Sequence, residues 1–416
     1  MAATGGTNLP RVGGYNQAVV LDAIRVRGPV SRVELAELTG LTNQTVSNVV
    51  RRLLDAGLVS ESGHAPSSGG KRRTLLSPRA DGAYAVGIHL DRDAGQVVLV
   101  DLAGSTVAGR RFAVSAPGEP SAVVEQAART ARRLVGRTEV DPARLLGAGI
   151  AAPGPIDGTA GEVVSPPNLS GWGRVPLLSM FGTALDMPVA LDNDATAAAI
   201  GERWIGGQKR AGSFLFIYFG AGIGGGIVLN DTVLHGDSGN AGEFGHMAVE
   251  PGDRLCSCGS NRCVGPYCSP RALIEEVFHR HGEAAAERIG LSGAAEALTE
   301  DWKRLRRAAR RGDPAADEVA RRAARLLGQA ARGAVALLDV SRVVLGGEGM
   351  RGLETIMCEE IDAAVNGNSI ARALDSVSVE TSVIGDTAGA VGAAALILHG
   401  HYAPGLRLLT TESTPA

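Results

Sequence analysis

Gly242-Glu243-Phe244-Gly245-His246, continued ten residues later by Cys256-Ser257-Cys258-Gly259-Ser260-Asn261-Arg262-Cys263, is the stretch around which the chain is organised. One imidazole and three thiols within eighteen positions form a four-ligand set, His246, Cys256, Cys258 and Cys263, of the type that holds structural zinc. Thiolates suit zinc because the ion is borderline soft and imposes no geometry of its own. Gly259 lets the chain turn back so that Cys263 closes the set. His246 enters from the other side of the loop with its second nitrogen facing Glu243, so one ring is expected to serve both metal and pocket wall. The alternative is a group of buried free thiols beside a core histidine. Cys268 is a possible substitute ligand, and Cys358 stands alone in a helical pattern. Nothing marks the chain as secreted, which argues against disulfides.

A chain of 416 residues, 44% hydrophobic and 4% aromatic, has room for two or three domains with Ala-, Val- and Leu-rich cores. Met1–Pro10 lacks the basic segment and apolar run of a signal peptide, and no apolar run reaches membrane-spanning length. A cytoplasmic protein with no membrane partner is expected. The net charge of −3 is unevenly spread: residues 1–80 hold ten Lys/Arg against five Asp/Glu, about +5, which leaves about −8 for the rest. A basic head on an acidic body is the electrostatic footprint of nucleic-acid binding.

The head reads as a winged helix-turn-helix. Val19, Val20, Ala23 and Ile24 lie at helical spacing within Asn16–Val26, which ends at Gly28-Pro29. Ser31-Arg32-Val33-Glu34 is a capping box opening a short second helix that Gly40 ends. Thr42 caps a third helix, through Ala56, whose apolar face is Val46, Val49, Val50, Leu53 and Leu54. Its other face carries Asn43, Gln44, Thr45, Ser47, Asn48, Arg51 and Arg52. Amides and hydroxyls near the start of such a helix suit base edges in the major groove, and the arginines suit phosphates. A strand from Gly57-Leu58-Val59 and its return at Thr74-Leu75-Leu76 enclose a basic tip with Lys71, Arg72 and Arg73. The alternative is a protein-docking module with a solvated polar face; the basic wing favours double-stranded DNA. Ser77–Gly82 marks the boundary, so residues 1–82 are the expected DNA-binding domain.

Beyond it, strands over Tyr84–Leu90, Gln96–Asp101 and Val107–Val114, a helix over Ser121–Val135 and a strand over Leu145–Ala151 predict an α/β body with a mixed sheet. Asn168–Trp172 is a loop with one amide and one large aromatic. Val189–Asp194 is a strand running into a polar tip, where open sheets bind ligands, and a helix follows. Asp194 there is a candidate general base for a hydroxyl, or else a helix cap. After a strand at Phe214–Phe219, the run Gly220–Leu229 fits phosphate binding or close strand packing equally well. Ser269-Pro270 opens a helix; Lys303–Arg311 and Ala315–Asp339 are helical, Arg342–Leu345 is a strand, and a last helix runs from about Asp386 to His399.

Taken together these pieces resemble the ROK family of repressors, open reading frames and sugar kinases. The match covers nearly the whole chain, and Glu-x-Gly-His followed by Cys-x-Cys-Gly-x-x-Gly-Cys is its most specific part. The resemblance implies an actin-like (ribonuclease H-like), two-lobed sugar-kinase fold: first lobe 83–197, second lobe 198–385 with the zinc loop, and a helix at about 386–402 returning to the first lobe. It implies that Asn168, Asn193, Asp194, Glu243 and His246 contact sugar hydroxyls, with Asp194 at the place of the kinase base and His246, Cys256, Cys258 and Cys263 at the zinc positions. The appended winged helix resembles the repressor branch, which controls sugar-utilisation operons.

Three departures qualify the resemblance. Family kinases carry Asp-x-Gly-Gly-Thr after the first strand, cradling ATP phosphates, where this chain has His89-Leu90-Asp91-Arg92-Asp93. Carboxylates a few ångströms from phosphates repel them, and the glycine turn is gone. Gly265 stands where family sugar sites have Glu, and Arg262 replaces a usual glycine. The expected function is a transcriptional regulator of the repressor kind, a homodimer or homotetramer sensing a sugar effector, with Asp194 a vestigial base and no catalytic activity. The alternatives are an ATP-dependent sugar kinase that keeps a DNA-binding head, and a ligand-independent regulator whose body only oligomerises or docks another protein.

Overall fold

A computed structural model describes residues 9–65, 72–92, 94–114, 118–169, 171–249, 252–367, 376–403 and 409–410. The head comprises α1 (Leu9–Arg27), β1 (Val30–Ser31), α2 (Arg32–Thr39), α3 (Asn43–Asp55), β2 (Val59–His64) and β3 (Thr74–Pro78), the strands pairing in the order β1-β3-β2. The Ser31/Glu34 capping box forms in both directions, and Gly40 closes α2 in the left-handed conformation at φ 68°. Val46, Val49, Val50 and Leu53 of α3 are buried against α1 and α2. α1 starts earlier than its apolar spacing suggests: it runs through Gly13-Gly14, whose low helix propensity hides the first turns.

The body has two sheets. The first uses β4 (Tyr84–Leu90), β5 (Ala94–Asp101), β6 (Thr106–Ala113), β7 (Leu145–Ala152), β11 (Val189–Asn193) and β17 (Leu409–Thr410) in the order β17-β11-β7-β4-β5-β6. The helices α4 (Pro120–Val135) and α5 (Leu177–Leu185) and a small sheet of β8 (Ile156–Asp157), β9 (Glu162–Val164) and β10 (Arg174–Val175) complete that side. The second sheet uses β12 (Phe214–Phe219), β13 (Ile223–Leu229), β14 (Thr232–Val233), β15 (Arg342–Gly346) and β16 (Ser378–Thr381) in the order β14-β13-β12-β15-β16. Around it lie α7 (Gly265–Cys268), α8 (Pro270–Ile289), α9 (Leu298–Arg310), α10 (Pro314–Leu338) and α11 (Glu354–Gly367). Antiparallel β4-β5-β6 beside parallel β4-β7-β11, and antiparallel β12-β13 beside parallel β12-β15-β16, are the two halves of an actin-like fold.

Between the sheets lie α6 (Asp194–Gly206) and α12 (Ala388–Tyr402). Small residues decide how close they come. A Cβ on Gly149 of β7 would stand 1.7 Å from the Ala393 carbonyl oxygen of α12, and one on Gly201 would stand 2.8 Å from the Gly392 Cα where the helices cross. α6 packs onto β12 and β13 with its other face, where a Cβ on Gly226 would stand 2.5 Å from the Ala195 oxygen. Close packing therefore accounts for Gly226, and for Gly225 against Gly242, whereas Gly220 and Gly222 stay at the cleft. The expected lobe division at 197/198 falls inside α6, which is one continuous helix.

The head is seated on the far end of α6. The Arg25 guanidinium of α1 lies 4.2 Å from the Trp204 ring centroid and donates to the Trp204 carbonyl and to Asp22. Arg203 reaches Asp22 at 3.5 Å and Asp231 at 2.7 Å, and His399 of α12 meets Trp204 edge-on at 6.0 Å. Burial beside these arginines pushes the His399 pKa down to about 3, so the ring packs as a neutral aromatic. No helix of the described residues is long and apolar enough to cross a membrane.

Candidate ligand cleft, metal centre and nucleic-acid interface

Asn168, Asn193, Asp194, Glu243 and His246 line one cavity of about 520 Å³ between the lobes. Sheet topology brings two of them there: β11 ends at Asn193, which caps α6 by accepting the Ala195 N–H at 2.9 Å. Asp194 is thus the first helical residue, not the cap, although its Oδ1 also accepts from the Ala195 N–H at 2.8 Å. Desolvation at the cleft, then the Asp91 charge, pushes the Asp194 carboxyl up to about 8. Asp91 itself sits across the cleft, its Oδ2 3.5 Å from where a Cβ on Gly220 would be, and its Oδ1 accepts the Arg92 N–H at 2.7 Å. Asp93 lies outside the described residues.

The same cavity is lined by residues that the sequence reading passed over. Asn240 clamps the turn at Ile156, accepting its N–H and donating to its carbonyl at 2.8 Å each, and so ties the 235–246 loop across the cleft. Tyr218, Ser269 and Arg271 also face it, as does Gly265. A Cβ on Gly265 would stand 3.0 Å from the Gly245 oxygen, so the backbone there is held close to the His246 loop. These residues lack a pattern of their own; only the fold gathers them. Trp172, by contrast, is buried in the first lobe and donates to the Gly118 carbonyl at 2.9 Å.

His246, Cys256, Cys258 and Cys263 place their ligand atoms within 4.8 Å of one another. Pairing of Val249 N–H with the Arg262 oxygen and of Val264 N–H with the Met247 oxygen lays the His246 and Cys263 segments side by side. Gly259, at φ +89°, turns the chain between the cysteines. The Cys256 Sγ is 3.5 Å from His246 Nδ1, and the Cys258 and Cys263 sulfurs are 3.4 Å apart. The other imidazole nitrogen is 3.8 Å from Glu243, as expected of a ring shared by metal and pocket. The Ser260 backbone N–H, followed by its neighbours in the cluster, pulls the Cys258 thiol down to about 6, which supplies a thiolate near neutral pH. Cys268 is elsewhere: it is buried with Sγ against the Ala323 carbonyl, and burial pushes its pKa up. The donor set fits zinc by number, softness and spacing.

On the head, Thr42 caps α3 by accepting the Thr45 N–H at 3.2 Å. Asn43, Gln44, Ser47, Arg51 and Arg52 are exposed, with Thr45 and Asn48 half-buried beside them. Asn48 accepts from Gln44 at 3.5 Å and from Arg51 at 3.1 Å, which orders this row of side chains. The Arg52 guanidinium leans toward α1, 3.9 Å from where a Cβ on Gly13 would be. Arg72 and Arg73 are exposed at the base of the wing, and Lys71 lies outside the described residues.

Residues 85–399 match the model of the ROK family, and residues 9–73 match a MarR family model. The chain belongs to the ROK family. Its N-terminal domain is a MarR-type winged helix. The xylose repressor of Caldicellulosiruptor bescii is 27% identical over 92% of this chain and 95% of its own length. Among solved structures, a ROK family transcriptional regulator described as a homologue of the E. coli MLC protein superposes with TM-score 0.71 at 22% identity, covering 94% of this chain and 98% of its own. A ROK family glucokinase from Streptomyces griseus, in complex with glucose and AMPPNP, superposes with TM-score 0.66 at 28% identity over 76% of this chain and 99% of its own.

Proposed function

We propose that this ROK protein is a DNA-binding transcriptional regulator, a repressor of sugar-utilisation genes, whose kinase-like body senses a sugar or sugar derivative. The observation that carries the reading is α6: it begins at Asp194 in the cleft and ends under the head, at Trp204 and Arg25. Its thirteen residues span roughly 20 Å as one rod. A ligand held by Asn168, Asn193, Asp194, Glu243 and His246 draws the lobes together, and α6 with α12 carries the change to the head. In a homodimer or homotetramer that motion re-aims two α3 helices, which must meet half-sites about 34 Å apart or a multiple of it. Base edges are read by Thr42, Asn43, Gln44, Thr45, Ser47 and Asn48, and phosphates are held by Arg51, Arg52, Lys71, Arg72 and Arg73. Zinc on His246, Cys256, Cys258 and Cys263 is structural: it fixes the loop that presents Glu243 and His246 to the cleft. The named repressors among its relatives support this reading.

The reading makes the body a retired catalyst. Asp91 stands beside the Gly220 turn, where a nucleotide's phosphates would meet its charge. The retained aspartate at the end of β11 favours a second reading, an ATP-dependent sugar kinase with a DNA-binding head. An ATP-consumption assay across hexoses, pentoses and amino sugars separates them. No turnover is expected, and robust turnover abolished by Asp194→Asn overturns the regulator-only view. Genome-wide mapping of bound sites is expected to return discrete operators beside sugar-utilisation genes.

A further inference from the structure

We propose that the outer mouth of the interlobe cleft is a second ligand site, for a small molecule carrying two or more phosphate charges. A cavity of about 370 Å³ there is lined by Arg111, Lys303, Arg306, Arg307, Arg310 and Arg351, against one carboxylate, Glu348. The cations come from three elements in both lobes: Arg111 from β6, four from α9, and Arg351 from the turn after β15. Arg111 meets Glu348 at 2.6 Å, Lys303 meets Glu300 at 3.4 Å, and Arg351 meets Asp386 at 3.4 Å, all as exposed pairs that exchange readily with solvent or ligand. Arg307 and Arg310 make no ion pair among the described residues.

Arg306 separates this groove from an ordinary solvated helix face. It is 9% exposed, stacks 5.5 Å from the Trp302 ring centroid, and its Nε has no hydrogen-bond partner among the described residues. Its Nη1 donates to two backbone oxygens, those of Glu348 and Arg351, and among the described residues no carboxylate hydrogen-bonds to this buried cation. A buried guanidinium without a bonded counter-ion is costly, and an anion seated in the groove would relieve it. The groove runs into an inner chamber of about 270 Å³ that shares Arg111, Lys303, Arg306 and Glu348. Together they reach the size of ordinary small-molecule sites, roughly 300–1,000 Å³. The cations are concentrated at the mouth, whereas the inner chamber sets Asp91 beside Arg92. A phosphate compound held by Arg111 on one side and α9 on the other would pin the lobes at one closure, as a second effector.

The test is calorimetry of inorganic tripolyphosphate into the full-length protein at fixed ionic strength, repeated with Arg307→Ala/Arg310→Ala and with Arg72→Ala/Arg73→Ala. Both pairs are exposed, so both variants are expected to fold. Saturable binding that weakens at least tenfold in the α9 variant and is unchanged in the wing variant supports the site. Absence of saturable binding overturns it, as does loss in the wing variant alone. It is equally overturned if the α9 changes leave tripolyphosphate untouched and instead weaken random duplex DNA, which would make the groove a DNA-backbone contact.

Discussion

Asp194 is the residue whose chemistry was least legible from its neighbours in the chain. Sequence offered a base or a helix cap, and the geometry assigns the cap to Asn193. What raises its pKa is desolvation and the Asp91 charge, which arrives from a strand about a hundred positions away and so leaves no local pattern. The consequence has a sign. The folded carboxyl holds its proton up to about pH 8, whereas an unfolded aspartate releases it near 4, so folding takes up a proton in between. Stability then falls as pH rises through that window, by at most about 1.4 kcal/mol per pH unit. Asp194→Asn is expected to raise the melting temperature at pH 7–8 and to converge with the parent toward pH 4. Identical melting curves across that range would remove Asp194 as a strained group. At the metal centre the spacing of His246, Cys256, Cys258 and Cys263 was legible, because a turn closes a short segment; only the fate of Cys268 needed the fold. Cys258→Ser is expected to lower bound zinc well below one per chain by metal analysis and to loosen the loop; full occupancy would take Cys258 out of the set.

At the scale of elements, α3 was readable nearly to its ends, because a cap, an apolar face and a polar face agree over thirteen residues. Its function is proposed, and the side chains divide by role. Gln44→Ala or Asn48→Ala is expected to relax base preference, each costing about 1–3 kcal/mol on specific DNA and little on random DNA. Arg51→Ala is expected to weaken both and to flatten the salt dependence. Competition binding with specific and random duplexes checks this, and equal losses on both for all three changes would reassign the helix. α6 and α12 were harder to read. Their alanine- and glycine-rich faces are buried almost all round, so no amphipathic stripe announces which sheet each one meets. The glycines of β13 carried the same ambiguity until Ala195 and Gly242 were seen against them.

The whole molecule joins a basic head to an acidic two-lobed body across a buried seam in which Leu21, Ile24 and Arg25 of α1 meet Trp204 and α12. Charge and spacing point to a basic head and an acidic body, but the joint between them leaves no pattern, since a single Arg25 in an amphipathic helix looks like any solvated arginine. Its burial against Trp204 sets α1 against the far end of the helix that begins in the cleft, where the proposed signal would reach the head. Arg25→Met keeps the packing volume and removes the charge that binds Asp22 and the Trp204 carbonyl. This variant is expected to keep operator affinity within a few-fold while losing most of its response to the effector. The central claim is that ligand in the cleft controls DNA binding. It is tested most directly by operator affinity at fixed salt, measured across a panel of hexoses, pentoses, amino sugars and their phosphates. At least one member is expected to change the affinity tenfold or more, and Asn193→Ala to abolish that change. Operator affinity that no member of the panel alters would contradict the account.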